Sequence, residues 1–355
     1  MDSLSDFARA KKARGSSKIK MKKEGIQWFD KKEAAHSMFP YLLAFWCLKH
    51  FPKFLVNFIA WCASSFYYIF DRRARCEAIR YQKILKECNP NLKIRPLKQI
   101  ASFAVSLGEK IDCWTNSENP IPFENISLHD DDIHELISQL NEKCGAFIFI
   151  SHLGNFEILR SLAASHKMGV QNEVALTVIS DKEVSSNFSK TLQRIAPQFF
   201  ENTVSIDEIT PATMEKFMDT ISRGGLVVCA GDRLSKNASR KIVTQDFLGK
   251  PAPFSYGAFL LALLLDAPVY FIFGFKKNNL FFSRKFEMYV KKARTEISSS
   301  RKKREECIKN LCAEYARTLE EFCKIYPYQW YNFFDFWTFP SENSEEKGLG
   351  EKNGK

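Results

Sequence analysis

Ala146-Phe-Ile-Phe-Ile-Ser-His-Leu-Gly-Asn-Phe-Glu157 decides the reading of this chain. Its first five residues, Ala146 to Ile150, form an apolar run of the length and kind found in a buried parallel strand. The pattern then breaks into His152, a glycine at 154, and Glu157 near the start of a helical segment over 156–164. A strand that ends in a histidine, a glycine turn and a helix start places polar groups at the carboxyl edge of an α/β sheet. Open sheets of that kind keep their chemistry at that edge.

Outward from this stretch the pattern repeats. Leu226-Val-Val-Cys-Ala230 reads as a second buried strand and runs at once into Gly231-Asp232-Arg233. Strands are also expected over 173–179, 267–273 and 280–290, with Asn278-Asn279 as the turn between the last two. Helices are expected over 130–139, 185–195, 214–222 (ending at Gly224-Gly225), 257–265 and 299–325, the last with a serine run to cap it. Residues 234–241 read as a basic loop. Asp246-Phe-Leu-Gly-Lys-Pro-Ala-Pro-Phe254 reads as a connection, because its glycine and prolines punctuate it. The fold class expected is α/β: a mixed, mostly parallel sheet flanked by helices, occupying 116–340, with 116–130 as the linker into it.

Ahead of the sheet the composition changes. Residues 1–25 are basic and polar, expected to be a disordered arm with no apolar core of a signal peptide. Residues 26–115 read as a helical, membrane-associating region. From Met38 to Phe70 the chain is densely apolar, and Phe54 to Phe70 carries no charge over 17 positions. That falls just short of the ~20 residues needed to span a bilayer. Basic residues on both flanks (Lys49 and Lys53; Arg72, Arg73 and Arg75) fit a hairpin or half-inserted helix better than a span. Trp46, Trp61, Tyr67 and Tyr68 suit the headgroup level. Beyond it, 71–115 reads as two helices around Asn89-Pro90, and 341–355 as a disordered tail.

The chain has 355 residues, 45% of them hydrophobic, with 32 Phe, so a large core is available. Ten cysteines are scattered without a C-x-x-C pair, which argues against a zinc ribbon and suits reduced, buried thiols. A net charge of +11 points to an anionic partner: a membrane surface, an acidic protein or nucleic acid.

Among six histidines, only His152 follows a buried strand and precedes a glycine turn. A neutral imidazole held by a carboxylate is the standard general base near pH 7. Glu157 is the expected partner, since the turn at Leu153-Gly154 lets the ring fold back over the first helical turn. No G-x-S-x-G accompanies the pair, so direct activation of a substrate hydroxyl suits it. One His and one Glu are too few ligands for a metal, and H-E-x-x-H is absent. A histidine that merely caps a strand end is the competing structural reading.

Ser151-His-Leu-Gly-Asn-Phe-Glu157 resembles the H-x4-(D/E) signature of membrane acyltransferases, in the form H-x-G-N-(W/F)-E of the lipid A biosynthesis (lauroyl/myristoyl) acyltransferase family. The similarity continues through Gly231-Asp232-Arg233, Phe247 to Phe254, the Gly257 helix, Ala267-Pro-Val269 and Gln329 to Trp337, covering roughly residues 40–337. The resemblance implies an enzyme on the cytoplasmic face of the bacterial inner membrane, with a glycerolipid/lipid A acyltransferase-like fold. It implies transfer of a fatty acyl chain from acyl carrier protein or acyl-CoA, as co-substrate and with no other cofactor, to a hydroxyl of a lipid or glycolipid. Carried over, His152 is the base and Glu157 its partner. Gly154 and Asn155 shape the turn, with Asn155 able to donate a hydrogen bond. Asp232 and Arg233 fall on a second polar block, and Arg233 is a candidate for binding phosphate or the reaction's oxyanion, or for a structural ion pair. Arg233 stands where lipid A enzymes often carry Gln, and Ser255 where many relatives have proline. An acceptor other than a lipid A precursor, such as a polyene-type lipid, or a non-catalytic lipid-binding role, therefore stays open. The positive charge then suits an anionic leaflet and an acidic carrier protein. Nucleic acid is the weak reading, because no recognition motif for it is present.

Overall fold

The strand at the heart of the expectation, β2 (Ala146–Ile150), forms with the expected bounds, and all five residues are buried. Its two faces enter two different cores: Phe147 and Phe149 one, Ala146, Ile148 and Ile150 the other. A strand covered on both faces is what its unbroken apolar run requires. Each large side chain so buried stabilises the fold by about 1.5–3 kcal/mol. The computed structural model describes residues 39–115, 121–130, 132–159, 169–171, 174–180, 190–191, 193–194, 202–206, 209–234, 241–277, 285–297 and 302–339. The basic arm at 1–25, the tail at 341–355, most of the 185–195 helix, the 235–240 part of the basic loop and the Asn278-Asn279 turn lie outside the described residues.

The chain begins with α1 (Phe39–His50), α2 (Lys53–Phe70), α3 (Arg72–Cys88) and α4 (Pro96–Thr115). It continues through β1 (Ile126–His129), α5 (Asp132–Asn141), β2, β3 (Leu176–Ser180), β4 (Thr203–Ser205), α6 (Pro211–Ser222) and β5 (Leu226–Ala230). There follow β6 (Ile242–Phe247), β7 (Lys250–Ser255), α7 (Tyr256–Leu264), β8 (Val269–Lys276), β9 (Phe286–Lys292) and α8 (Arg304–Ile325). The main sheet has the order β1-β9-β8-β2-β5-β3-β4. Every neighbouring pair is parallel except β8 with β9, which run antiparallel. The α/β class with a mostly parallel mixed sheet flanked by helices is therefore observed.

Three expectations are corrected. The linker at 116–130 contains β1, an edge strand of the main sheet. The connection at 246–254 is most of a β-hairpin, β6 with β7, turning at Leu248 and Gly249, both with positive φ. Pro251 and Pro253 are tolerated because they face Asp246 and Thr244 at alternate positions, so their missing N–H groups fall on one outer edge. Leucine in the left-handed region is unusual, and its N–H donates to Glu320 Oε2 at 2.6 Å. Finally, the last helix starts later than position 299: α8 begins at Arg304, after Lys303, whose side chain does not cap it, and the serine run at 298–300 lies outside the described residues.

Residues 26–342 form one compact unit. Tyr81, Ile84 and Leu85 of α3 share a core with Phe149, Phe259 and Leu311, so the helical region is part of the packing around the sheet. Its first two helices differ. Phe54, Phe58, Phe66, Ile69 and Phe70 of α2 are 57–79% exposed, an apolar surface a soluble face seldom keeps. Asp71 ends α2 and caps α3 by accepting the Ala74 N–H at 2.9 Å, and the two helices bend by 96° there. Among the described residues no single helix is long and apolar enough to cross a membrane, although the bent pair of α2 and α3 has, taken together, the length and composition of a broken span or re-entrant loop.

Candidate active site

Strands β2 and β5 lie side by side in register, Ile150 opposite Ala230. Each breaks immediately afterwards, so the residues two positions on, His152 and Asp232, emerge together at the carboxyl edge. Their contact is direct. The His152 ring and Asp232 are joined through Nδ1 and Oδ1 at 2.9 Å, and the His152 backbone N–H donates to Oδ2 at 2.9 Å. The Trp330 indole N–H donates to the same Oδ2 at 3.1 Å.

Asp232 is thus a buried carboxylate facing donors on both oxygens. Burial alone would raise its pKa. His152, the Arg233 charge and the Trp330 N–H outweigh that and lower it to about 2. An ionised carboxylate only accepts, so Nδ1 must carry the imidazole proton and Nε2 keeps its lone pair. The His152 side chain is 37% exposed, which leaves Nε2 as the nitrogen to meet a reactant. Burial, then the Arg233 charge, holds the imidazole pKa below its usual 6.5 despite Asp232. The ring is therefore a neutral base at pH 7. Activity that depends on it is expected to hold as pH falls to 6.5, with the acidic limb of a kcat/KM–pH profile lying below that value. A limb above 6.5 would contradict this charge balance.

The loop that carries His152 is clamped on two sides. Gly154 N–H donates to Gln329 O at 2.8 Å, Tyr331 N–H to His152 O at 3.0 Å, and Asn155 N–H to Gly274 O at 2.7 Å. The aromatic C-terminal stretch therefore holds both the loop and, through Trp330, the carboxylate. Gln329 is tied in turn to Lys276 of β8, and Trp330 O accepts from Gln99 of α4.

Glu157 is not the partner of the ring nitrogen at Nδ1, contrary to the expectation from its spacing. It lies 1% exposed in the first helical turn after the loop, its N–H donating to Asn155 Oδ1 at 3.1 Å. The physical reason is register: the paired strands bring Asp232 to the imidazole from across the sheet. That same Asn155 bond fixes the amide, whose Nδ2 is buried without a hydrogen-bond partner among the described residues. Gly154 shapes the turn at φ +80. Arg233 lies beside the pair, its guanidinium 4.8 Å over the Phe334 ring and donating to Tyr331 O at 3.2 Å. Burial brings its pKa down to about 10, against the pull of Asp232, so it is charged at neutral pH.

Lys110 is the site residue that sequence reasoning missed. It comes from α4, with its ammonium 5.1 Å over the Phe156 ring. Burial lowers its pKa, the Glu157 carboxylate acting the other way and the Arg233 charge adding to the lowering. Nothing in the sequence distinguishes it from other lysines on amphipathic helices. Trp330 was visible only as part of an aromatic block. Among the described residues no group of three His, Cys, Asp or Glu side chains is placed to hold a metal.

The arrangement can take a proton from a hydroxyl at Nε2 while Asp232 stabilises the resulting imidazolium. The Ser151 hydroxyl, next in sequence, accepts the Leu153 N–H at 3.1 Å. Burial, and then the Asp232 charge, push the Cys229 thiol up to about 12. Neither is set up as a nucleophile. No protein-family model and no curated protein sequence matches this chain.

Proposed function

We propose that the protein is a membrane-associated O-acyltransferase that moves a fatty acyl chain from an acyl thioester to a hydroxyl of a lipid or glycolipid. The observation that carries this is the neutral His152, its Nδ1 proton held by an ionised Asp232 at the carboxyl edge of the sheet. The resemblance of 151–157, 231–233 and 329–337 to the lipid A biosynthesis acyltransferases supports the choice of acyl donor and lipid acceptor. In this reading the acceptor hydroxyl gives its proton to Nε2 as its oxygen attacks the thioester carbonyl. The tetrahedral intermediate then collapses, the C–S bond breaks, and the departing thiolate takes the proton back from the imidazolium. Arg233 and the Asn155 Nδ2 donor are the groups for the oxyanion, a contribution worth about 3–4 kcal/mol per donor in other acyl-transfer enzymes.

The role of Glu157 changes. It acts through charge rather than on the ring: a buried carboxylate that balances Lys110 beside the dyad. The donor is acyl carrier protein or acyl-CoA, and no other cofactor is required. The exposed apolar face of α2 and the net charge of +11 fit an anionic leaflet, at the cytoplasmic face of the bacterial inner membrane. The acceptor is a lipid A precursor or another lipid hydroxyl, such as that of a polyene-type lipid.

The test uses the full chain with lipid vesicles, labelled acyl carrier protein or acyl-CoA, and total lipid extract as acceptor. Label is expected to enter lipid with the wild-type protein. His152→Ala is expected to abolish transfer while still co-sedimenting with vesicles. Undiminished transfer by His152→Ala, or release of free fatty acid in place of acylated lipid, would overturn the reading.

A further inference from the structure

We infer that the apolar cavity between α6 and α7 holds the hydrocarbon tail of the acyl group, an assignment that rests on the acyl-transfer reading above. The cavity measures about 750 Å³, within the ordinary range for ligand sites. Ile179, Ile206, Met214, Cys229, Leu260 and Leu261 form an apolar part of its wall, and no charged side chain lines it among the described residues. A half-open apolar cleft of this kind, with no charge to balance, suits a flexible saturated chain rather than a polar ligand.

Its position argues for the tail in particular. Ile179 and Cys229 are paired across β3 and β5, each one residue short of its strand's carboxyl end. Cys229 lies three residues before Asp232 on the same chain segment, and its thiol feels the Asp232 charge. The strand β5 therefore carries the dyad's carboxylate at its end and the cavity's wall just below. Neighbouring strands lie about 4.8 Å apart, so the step from the β2–β5 edge to the β5–β3 edge is one strand wide. A carbonyl held at His152 has a short route for its chain over the end of β5. Helix α7 closes the other side: Phe259 stacks on Phe149 of β2 at 4.7 Å, while Leu260, Leu261 and Leu264 of the same helix line the cavity.

Gly257 controls the space. It lines the cavity, and a Cβ added there would meet only Ser255 Oγ, at 3.9 Å. A larger side chain can therefore occupy the cavity without forcing the backbone. In α6, Met214 lines the cavity from the opposite side.

The probes are octanoic and hexadecanoic acids carrying a terminal diazirine, photolysed with the full chain and mapped by peptide mass spectrometry. Cross-links of the long probe are expected within 206–214 and 257–264. Gly257→Leu is expected to reduce them at least about tenfold for hexadecanoic acid and far less for octanoic acid, since it removes room for several methylenes. Met214→Ala is expected to strengthen long-chain labelling, and gives a second reading if Gly257→Leu fails to fold. Cross-links confined to 39–70, or labelling unchanged in both variants, would overturn the assignment. Cavity labelling in a protein with no transfer activity would uphold the chain site and refute the enzymatic reading. Transfer without cavity labelling would do the reverse.

Discussion

Asp232→Asn is expected to lower acyl transfer about 10³–10⁴-fold while the protein stays folded, the size of effect seen when the acid of a His–Asp pair becomes its amide. The two oxygens of Asp232 face three donors: His152 Nδ1–H on one, and the His152 backbone N–H and the Trp330 indole N–H on the other. An asparagine has one acceptor and one NH2 to distribute between them. If the NH2 faced the backbone and indole donors, two N–H groups would be left opposed. The amide therefore turns its NH2 toward the ring, which must accept there, and the imidazole proton moves to Nε2. The base is then in the wrong tautomer, with no lone pair where the acceptor hydroxyl arrives. Ring 15N chemical shifts would report this exchange independently of turnover. Glu157→Gln is the comparison. It removes a buried charge near Lys110 but leaves the Nδ1 bond intact, so it should be the less damaging of the two. The reverse order would return the partner role to Glu157.

That reassignment shows where sequence patterns stop being informative. Both polar blocks were legible, His152 after β2 and Asp232-Arg233 after β5, because each follows an unbroken apolar run whose end is easy to see. Adjacency of the two strands was not legible. The last residues of β2 and β5, Ile150 and Ala230, are 80 positions apart, and which parallel strands pair depends on the whole topology. A partner five residues away therefore looked nearer than one that register places directly alongside. Lys110 was hidden for a related reason, since it reaches the site from a helix in the region ahead of the sheet. The hairpin β6–β7 was misread for a different one. Proline and glycine mark turns in a chain taken locally, but here the turn is Leu248-Gly249, tied to α8 by Glu320, and the prolines sit on a free edge. Tertiary contact overrode local propensity. Elements with an unbroken apolar run or strong periodicity, such as β2, α6 and the body of α8, needed no such information.

Gly154→Ala is expected to destabilise the fold severely and to abolish activity, and the two effects share one cause. Gly154 has φ +80, where an alanine costs about 1–2 kcal/mol. That alone is tolerable. The larger cost comes from β8: an added Cβ would overlap Gly274 O, the same oxygen that accepts the Asn155 N–H at 2.7 Å. Gly274 is hemmed in reciprocally, since a Cβ there would lie 2.6 Å from Asn155 O and 2.7 Å from Ile158 Cδ1. Two backbones cross with no room for a side chain on either, so both positions are held to glycine by close approach. Relief requires the His152 loop to lift from the sheet, breaking the Asn155 bond and carrying the imidazole away from Asp232. Displacements of about 1 Å in such a constellation cost about 10²-fold in rate. Denaturant titration should show a loss above about 4 kcal/mol for Gly154→Ala, in the range reserved for overpacking and backbone strain. Gly249→Ala separates the two contributions: φ is +72 there, yet nothing lies within 4 Å of an added Cβ. It should lose only the conformational part, about 1–2 kcal/mol, and keep its activity. Equal losses at 154 and 249 would mean that the crossing with β8 does not constrain the loop, and the positioning of His152 would need another explanation.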